Sequence, residues 1–306
     1  MIPLCAPENA KLPTALALGS FDGLHLGHKK VIKTILKEQI GVPTVVSFWP
    51  HPREVLFGES RLRLDLPNEK TLLLKPLGIE QLVLVPFDKA LASKSAETFI
   101  NEILFTTLQA KHIAVGENFR FGRNREGDTA TLKEIGADLG IKVSIVPILE
   151  DNEGRLSSSR IRKALKDGDL NHAKYLLNRA YTFRGTVERG KGLGKKIGWP
   201  TANLKIDGRK FLPSLGVYAA WASRSGKKEL LPAVMNLGPQ PTIDPNSSSA
   251  VEVHLLDEEI NLLGQELIVE PVKRIRLQEK FESIKSLSKQ ISLDAKLAKE
   301  ILNKSL

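Results

Sequence analysis

The segment that most constrains the fold is 14–28, which joins an apolar run, a glycine turn and the beginning of an amphipathic pattern. The run from Thr14 to Leu18 predicts a short buried strand. Gly19 and Gly23 interrupt it, and apolar residues then recur with helical spacing at Val31, Ile32, Ile35 and Leu36. The free N–H groups and the dipole of a helix that begins here face the turn. The segment therefore predicts an anion-binding site.

Two histidines lie at the beginning of this predicted helix. His25 and His28 are three residues apart, so on the first helical turn they share a face. Two imidazoles directed at one anion suit the negative charge that develops on a phosphate during its transfer. A pair of metal ligands or two surface histidines is the alternative interpretation, and the glycine context favours the phosphate site.

The first half of the chain alternates predicted strands with predicted helices. The strands are 14–18, 43–48, 81–85, 113–116 and 142–146, and helical patterns include 29–39, 96–108 and 131–139. This order predicts an α/β domain with a doubly wound parallel sheet, in which ligands bind beyond the carboxyl ends of the strands. Pro50 and Pro52 predict a loop after the second strand. For His51, between them, structural and functional roles are both open.

After Tyr181 the apolar pattern changes to a period of two. Predicted strands at 181–187, 216–222, 230–237, 250–256 and 266–275 indicate a small antiparallel β-barrel, with a mobile turn at 245–249. The terminal pattern of Ile284, Leu287, Ile291, Leu297 and Ile301 predicts a C-terminal helix against the barrel. We therefore predict two domains, 1–180 and 181–306.

Charge and cysteine content narrow the class of protein. The net charge of +10 permits either nucleic acid or a phosphorylated small molecule as a partner. A glycine-rich basic cluster with almost no aromatic residues suits phosphates better than stacked bases; it comprises Arg184, Arg189, Lys191, Lys195, Lys196, Lys205, Arg209 and Lys210. The single cysteine, Cys5, excludes an internal disulfide. No apolar run is long enough for a membrane span. Because no basic region precedes the first apolar stretch, we expect no signal peptide and a cytoplasmic protein.

The first motif carries a resemblance to a known family. Phe21-Asp22-Gly23-x-His25-x-Gly27-His28 resembles the HxGH nucleotidyltransferase motif in its flavin-adenylylating form. From about residue 14 to 300 the chain is similar to the bacterial bifunctional riboflavin kinase/FAD synthetases. The resemblance implies that residues 1–180 form the FMN adenylyltransferase domain. It also implies ATP contacts for Gly19, Phe21, Asp22 and Gly27.

Two later segments extend this implied ATP site. The loop 115–122 carries Asn118, whose amide could read a nucleotide. The serines of 157–159 could cap a helix, but in the family this segment closes over the ATP phosphates, which implies contacts from Ser158 and Ser159. Ser159 replaces the usual threonine and keeps its hydroxyl. Arg162 is predicted to contact the pyrophosphate, because a guanidinium can bind two oxygens at once.

In the second half, Gly190, Gly194 and Gly198 lead into Pro200-Thr-Ala-Asn203, which resembles the riboflavin kinase PTAN motif. Glycines let backbone N–H groups wrap phosphates closely, so these three are predicted ATP contacts. Thr201 and Asn203 offer oxygen ligands suited to Mg²⁺.

The predicted strand at 250–256 carries the second candidate catalytic group. Its residues alternate strictly, which places Glu252 and His254 on one face. A solvated strand glutamate is the simplest interpretation of Glu252. The resemblance instead implies that Glu252 is the base that accepts the proton of the hydroxyl attacking a γ-phosphate.

One stretch departs from the family. After Asp257 the relatives usually continue Phe-x-x-Asp-Leu-Tyr-Gly, whereas this chain reads Glu-Glu-Ile-Asn-Leu-Leu-Gly over 258–264. Two aromatic residues and an acid are absent. We therefore predict weaker riboflavin binding in the kinase half.

Together these patterns predict a bifunctional enzyme. Its partners would be riboflavin, FMN and ATP, with Mg²⁺, and neither nucleic acid nor a membrane; its oligomeric state is open. The C-terminal half would phosphorylate riboflavin to FMN, and the N-terminal half would transfer AMP to FMN, giving FAD and pyrophosphate. One alternative is an adenylyltransferase for another phosphate ester with a non-catalytic barrel. Another is an RNA-binding protein, which an aromatic content of 6% disfavours.

Overall fold

The computed structural model describes residues 1–59, 62–190, 194, 197–227, 229–238, 251–258 and 260–304. The chain forms two compact units, Met1–Ser158 and Ser159–Leu306. The predicted turn at 245–249 lies outside the described residues. Five residues of the glycine-rich basic segment do too: Lys191, Gly192, Leu193, Lys195 and Lys196.

The first unit is built on a parallel sheet of six strands in the order β1-β4-β3-β2-β5-β6. These are β1 (Leu4–Cys5), β2 (Thr14–Leu18), β3 (Val42–Trp49), β4 (Gln81–Pro86), β5 (Ala110–Gly116) and β6 (Lys142–Val146). Each predicted strand is present, which confirms the doubly wound architecture. Within this sheet β1 was not predicted, because two residues carry too little pattern to be recognised.

Helices connect these strands. They are α1 (Leu26–Ile35), α2 (Pro52–Phe57), α3 (Pro67–Leu74), α4 (Lys89–Ser93), α5 (Ala96–Phe99), which continues as a wide π-helix (Ile100–Thr107), and α6 (Thr129–Asp138). A small hairpin of β7 (Glu150–Asp151) and β8 (Gly154–Arg155) follows β6. The predicted helix at 29–39 begins and ends earlier, as α1.

The loop predicted after β3 is present but short: it consists of Pro50 and His51, and α2 begins at Pro52. Pro52 occupies the first helical turn, where its missing N–H has no partner to lose. His51 precedes it as the N-cap, and its Nδ1 accepts a hydrogen bond from the N–H of Arg53 at 3.1 Å. The structure thus gives His51 a local structural role.

The strand order reverses between β2 and β5, which are neighbours in the sheet. The segments that follow their carboxyl ends therefore flank one crevice, the usual ligand site of such sheets. Along β2 the side chains alternate between the two faces: Leu16 and Leu18 pack in one core cluster, Ala15 and Ala17 in the other. The strand is buried on both faces, which fixes the turn that follows it.

The second unit holds α7 (Ser158–Asp167, its first residue in the first unit), α8 (Leu170–Leu177) and a closed antiparallel barrel. The barrel order is β10-β13-β12-β11-β14-β9. Its strands are β9 (Phe183–Glu188), β10 (Ala202–Lys205), β11 (Gly216–Arg224), β12 (Leu231–Leu237), β13 (Val251–Leu255) and β14 (Glu266–Arg276). The predicted barrel is confirmed. Strand β10 was missed, although it carries Asn203.

The predicted C-terminal helix is present as α9 (Ile284–Asn303). Its residues Ala295, Ala298 and Leu302 pack against Val217 and Trp221 of β11. The helix face predicted to contact the barrel is partly wrong, because the side chains of Ile284 and Leu297 on that face are 69% and 42% exposed. No helix among the described residues has both the length and the apolar character needed to cross a membrane.

Helices α7 and α8 group with the barrel rather than with the sheet. The N–H of Ser214 donates to the carbonyl oxygen of Leu165 at 3.0 Å, and Arg274 donates to the carbonyl oxygen of Asp167 at 3.3 Å. The boundary near residue 180 was inferred from the change of period alone, which cannot register such contacts. It stays a prediction.

Candidate active sites

The turn after β2 has an unusual backbone. Phe21, Gly23 and Leu24 have positive φ values of 45°, 89° and 44°. Only glycine adopts this region without strain, so Phe21 and Leu24 are held there by burial, at 3% and 0% exposure. At Gly19 a Cβ would lie 3.2 Å from the Phe21 ring, which explains the glycine at that position. The turn is consequently compact and preorganised.

Asp22 anchors this turn from inside. Its Oδ1 accepts hydrogen bonds from the N–H groups of Leu64 at 2.9 Å and Asp65 at 3.3 Å. The Ser158 hydroxyl donates to the Asp22 carbonyl oxygen at 2.8 Å. The structure therefore brings two predicted ATP contacts, Asp22 and Ser158, together, and it gives both of them bonds that order the site.

The two predicted histidines meet at the beginning of α1. His25 is the N-cap, and its Nδ1 accepts from the N–H of His28 at 3.4 Å. Their rings stack, with centroids 3.6 Å apart, and Phe21 meets His28 edge-on at 5.3 Å. A Cβ at Gly27 would lie 3.1 Å from the His25 ring. Because its Nδ1 accepts, neutral His25 carries its proton on Nε2, where it can donate.

Both histidines are uncharged at neutral pH. Burial, reinforced by the positive charge of Arg155, lowers the pKa of His25 to about 4. Burial also holds the pKa of His28 well below 6.5, and His25, Lys70 and Arg155 act in the same direction. In the free protein the imidazoles are therefore neutral donors or acceptors, and the positive charge beside them comes from Lys70 and Arg155.

Sequence reasoning missed both of these cations. Lys70 on α3 is 7% exposed, and its Nζ donates to the Ser20 carbonyl oxygen at 2.9 Å. Burial lowers the pKa of Lys70, and the nearby carboxylates of Asp22 and Asp65 act against that shift. Arg155 ends the β7–β8 hairpin just before the serine segment. Only its position beside that segment could have drawn attention to Arg155.

The low pKa of His25 predicts a loss of stability in acid. The unfolded chain, with a histidine pKa near 6.5, binds the proton more tightly than the folded protein. The contribution of His25 to the free energy of unfolding is therefore fully present above about pH 6.5, and it is lost as the pH falls toward 4. At about 1.36 kcal/mol per pKa unit, His25 accounts for on the order of 3 kcal/mol, measurable by urea unfolding at several pH values.

His25→Asn is the matched variant for this prediction. An asparagine N-cap still accepts a backbone hydrogen bond and does not titrate. We expect its free energy of unfolding to fall less steeply below pH 6.5 than that of the native chain. Identical pH profiles for the two proteins would contradict a buried neutral His25.

Three further residues were predicted for the first site: Asn118, Ser159 and Arg162. Asn118 is exposed in the turn after β5, at the same edge of the sheet as the histidines. Ser159 is exposed on α7. The guanidinium of Arg162 lies 5.9 Å from the centre of the Phe211 ring, within the second unit. The ATP contacts of these three residues stay predictions.

On the barrel, three polar side chains form a row across neighbouring strands. Glu252 of β13 is the register partner of Asn203 on β10 and of Asn236 on β12. Register partners project from the same face of a sheet with their Cβ atoms about 5 Å apart. Asn236 Nδ2 donates to Glu252 Oε2 at 3.3 Å, and Gln278 Nε2 donates to Asn236 Oδ1 at 2.9 Å. The carboxylate of Glu252 is thereby oriented.

The glycines of this half are required by close contacts. A Cβ at Gly190 would lie 2.1 Å from the Asn203 amide nitrogen. One at Gly194 would lie 2.3 Å from the Trp199 carbonyl oxygen and 3.3 Å from Thr201 Oγ1. Gly198 has a φ of 81°. Gly190 therefore lies directly against Asn203, and Gly194 against Thr201, the two predicted metal ligands.

An open cleft of about 1330 Å³ lies beside this row. Thr201, Asn203, Glu252 and His254 line one side, and the first turns of α9 line the other. The volume exceeds that of a typical small-ligand pocket, about 300–1,000 Å³, so there is room for two substrates.

The prediction of weaker riboflavin binding, which was drawn from the departure at 258–263, gains no support from the structure. None of the described residues of that segment lines the cleft. Leu262 is 7% and Leu263 54% exposed, in a loop tied to β9 through the N–H of Gly264 and the Val187 carbonyl oxygen at 2.9 Å. The predicted weaker riboflavin binding rested on lost stacking beside the flavin, and these residues lie outside the described cleft lining.

Comparisons with known proteins identify the family to which the chain belongs. A FAD synthetase family model matches residues 8–160, and a riboflavin kinase model matches residues 177–302. Bifunctional riboflavin kinase/FMN adenylyltransferases from Escherichia coli K12 and Bacillus subtilis are each 36% identical to this chain. The alignments cover 93% and 95% of this chain, and 91% and 92% of those proteins.

A crystal structure from Streptococcus pneumoniae shares the fold with a TM-score of 0.81 and 29% identity. It covers 96% of this chain and 97% of that one, and its title describes a macrolide-efflux protein. That activity is a statement about that protein. The two family models and the curated relatives agree, and this chain belongs to the family of bifunctional riboflavin kinases/FMN adenylyltransferases.

Proposed function

We propose that Glu252 is the catalytic base of riboflavin phosphorylation in the barrel unit. The observation that carries this is the oriented row of Asn203, Glu252 and Asn236 beside an open cleft. Glu252 accepts the proton of the terminal ribityl hydroxyl as that oxygen attacks the γ-phosphorus of ATP. The bond from the γ-phosphorus to the bridging oxygen breaks, and ADP leaves with FMN as the other product.

The donor set also fits a magnesium ion. Thr201 supplies a hydroxyl and Asn203 an amide oxygen, which are ligands for a hard cation, and the tight glycine contacts hold both in place. Mg²⁺ bound with ATP would neutralise charge on the phosphates. Thr201 and Asn203 would hold it, while Glu252 stays available for the proton.

In the first unit we infer that the turn after β2 binds ATP for adenylyl transfer. A phosphate oxygen of FMN attacks the α-phosphorus, and pyrophosphate leaves. That nucleophile is already an anion, so no base is needed, and the site must supply position and charge stabilisation. His25 Nε2–H is a donor at this turn, and Lys70 and Arg155 supply positive potential.

We further infer that the protein acts in the cytoplasm on these small molecules, without nucleic acid or a membrane. The single cysteine and the small aromatic fraction support this. The adenylyltransferase with a non-catalytic barrel and the RNA-binding protein are not favoured. The first would leave the Glu252 row without a role.

Incubation with riboflavin and MgATP, followed by chromatography of the flavins, tests the proposal. We expect FMN to appear first and FAD to follow. With FMN supplied instead of riboflavin, FAD should form directly. FAD from FMN without any FMN from riboflavin would instead establish the non-catalytic barrel.

The contacts of α7 and α8 predict where the halves can be separated. The fragment 159–306 should fold and convert riboflavin to FMN without making FAD, because it keeps the contacts of Leu165 and Asp167 with the barrel. The shorter fragment 180–306 should melt at a lower temperature. Equal melting temperatures would show that α7 and α8 add nothing to the barrel unit.

A further inference from the structure

His254 is a cleft residue that the chemistry above leaves without a role. It lies two residues after Glu252 on β13, on the same face of the strand. Both side chains line the cleft. His254 Nδ1 lies 2.7 Å from the carbonyl oxygen of Pro200. A carbonyl oxygen can only accept, so Nδ1 carries the proton and donates it in this bond.

The bond holds the segment that precedes Thr201. Pro200 is fixed in φ by its ring, so fixing its carbonyl as well leaves the next peptide little freedom. Thr201 follows directly and offers the hydroxyl predicted to bind the metal. The Trp199 N–H donates to the Gly194 carbonyl oxygen at 2.9 Å, which ties the same segment to the glycine loop.

Trp199 completes the arrangement. Its ring meets the His254 ring nearly edge-on, with centroids 5.2 Å apart and an interplanar angle of 75°. Its indole Nε1 donates to Ser288 Oγ of α9 at 3.2 Å. The His254 ring therefore packs against Trp199 while its Nδ1 holds Pro200, so its orientation is determined by two contacts.

We propose that His254 is a positioning residue for riboflavin phosphorylation, acting through the Pro200 carbonyl to place Thr201 for the metal-bound phosphates of ATP. The proposal rests on the proposed role of Thr201. The opposite ring nitrogen, Nε2, has no part in it. One neutral hydrogen bond corresponds to an effect of about threefold to tenfold on the affinity for MgATP.

Two substitutions separate the ring nitrogens. In His254→Asn the amide nitrogen lies close to the position of Nδ1 and can still donate to Pro200. In His254→Gln it lies close to the position of Nε2 and cannot. We expect the Asn variant to keep a near-native KM for MgATP, and the Gln and Leu variants to raise it about threefold to tenfold with a smaller change in kcat. The half-saturating Mg²⁺ concentration should rise in parallel.

Adenylylation of supplied FMN is the internal control, because its site is in the other unit, and it should be unchanged in every His254 variant. If His254→Gln keeps the native KM for MgATP and His254→Asn does not, His254 acts by a direct contact through Nε2, and our proposal is wrong. A native KM in all three variants would also overturn it.

A double-mutant cycle with Thr201→Val distinguishes this inference from the proposed function. If His254 acts through Thr201, His254→Leu should cost little more in the Thr201→Val background. Equal losses in both backgrounds would overturn the inference alone. If Thr201→Val leaves phosphorylation unchanged, the proposed role of Thr201 is wrong, and the inference falls with it.

Discussion

Glu252→Gln should lower the rate of riboflavin phosphorylation by about 10²–10⁴-fold while FAD formation from supplied FMN continues. The magnitude is that of losing a general base. The amide keeps the shape of the side chain and can still accept from Asn236 Nδ2, which donates to Glu252 at 3.3 Å. The variant therefore removes basicity and leaves packing nearly intact. Initial rates of FMN and FAD formation, resolved by chromatography, measure both activities.

Glu188→Gln is the matched control. Glu188 of β9 is the other register partner of Asn203, so it lies two strands from Glu252 in the same row of the barrel. Its carboxylate faces Lys205 at 3.2 Å and does not line the cleft. The same loss of charge should leave phosphorylation within a few-fold of the native rate. Equal losses in the two variants would point to the field of the barrel rather than to a base.

The strands were predictable because burial leaves a direct mark on their residue pattern. Strand β2, buried on both faces, reads as a continuous apolar run, and β13 alternates because only one face is buried. Strand β10 could not be found in this way. Its four residues follow a proline motif and carry Asn203 on the cleft side, so its pattern is set by the site rather than by the core.

The sequence predicted where the two histidines lie, but it did not predict their charge state. Spacing alone places His25 and His28 on one helical face. Their low pKa values depend on burial and on Lys70 and Arg155, which lie far away in sequence and close in the fold. A cation brought in by tertiary packing leaves no periodic signal. The imidazoles predicted at the phosphate are therefore neutral groups, and the positive charge beside them comes from Lys70 and Arg155.

The proposed role of Glu252 shows a different limit of prediction from sequence. Its alternating strand predicted which face it occupies, and the family resemblance supplied the chemistry. The sequence held no sign that Gln278, from the segment after β14, would fix the Asn236 amide that donates to it. Such hydrogen bonds join residues that only the closed barrel brings together.

His28→Ala should produce the reverse pattern to Glu252→Gln. We expect adenylylation of FMN to fall by on the order of 10²–10³-fold, the usual result of removing one preorganised group that stabilises charge in the transition state. Riboflavin phosphorylation should continue at the native rate, because its groups lie in the other unit. The rings of His25 and Phe21 both contact His28, so the cavity left by alanine could also disturb the turn.

His28→Gln separates these two effects, since it keeps a hydrogen-bonding amide and most of the side-chain volume. If His28 acts by donating to the transferred phosphate, the Gln variant should recover part of the lost rate while the urea midpoints of the Gln and Ala variants stay similar. If the rate instead follows the midpoint in both variants, His28 acts only by packing the turn. Loss of both reactions in a protein that still unfolds cooperatively would contradict the two-site model itself, because each reaction is assigned its own residues and its own unit.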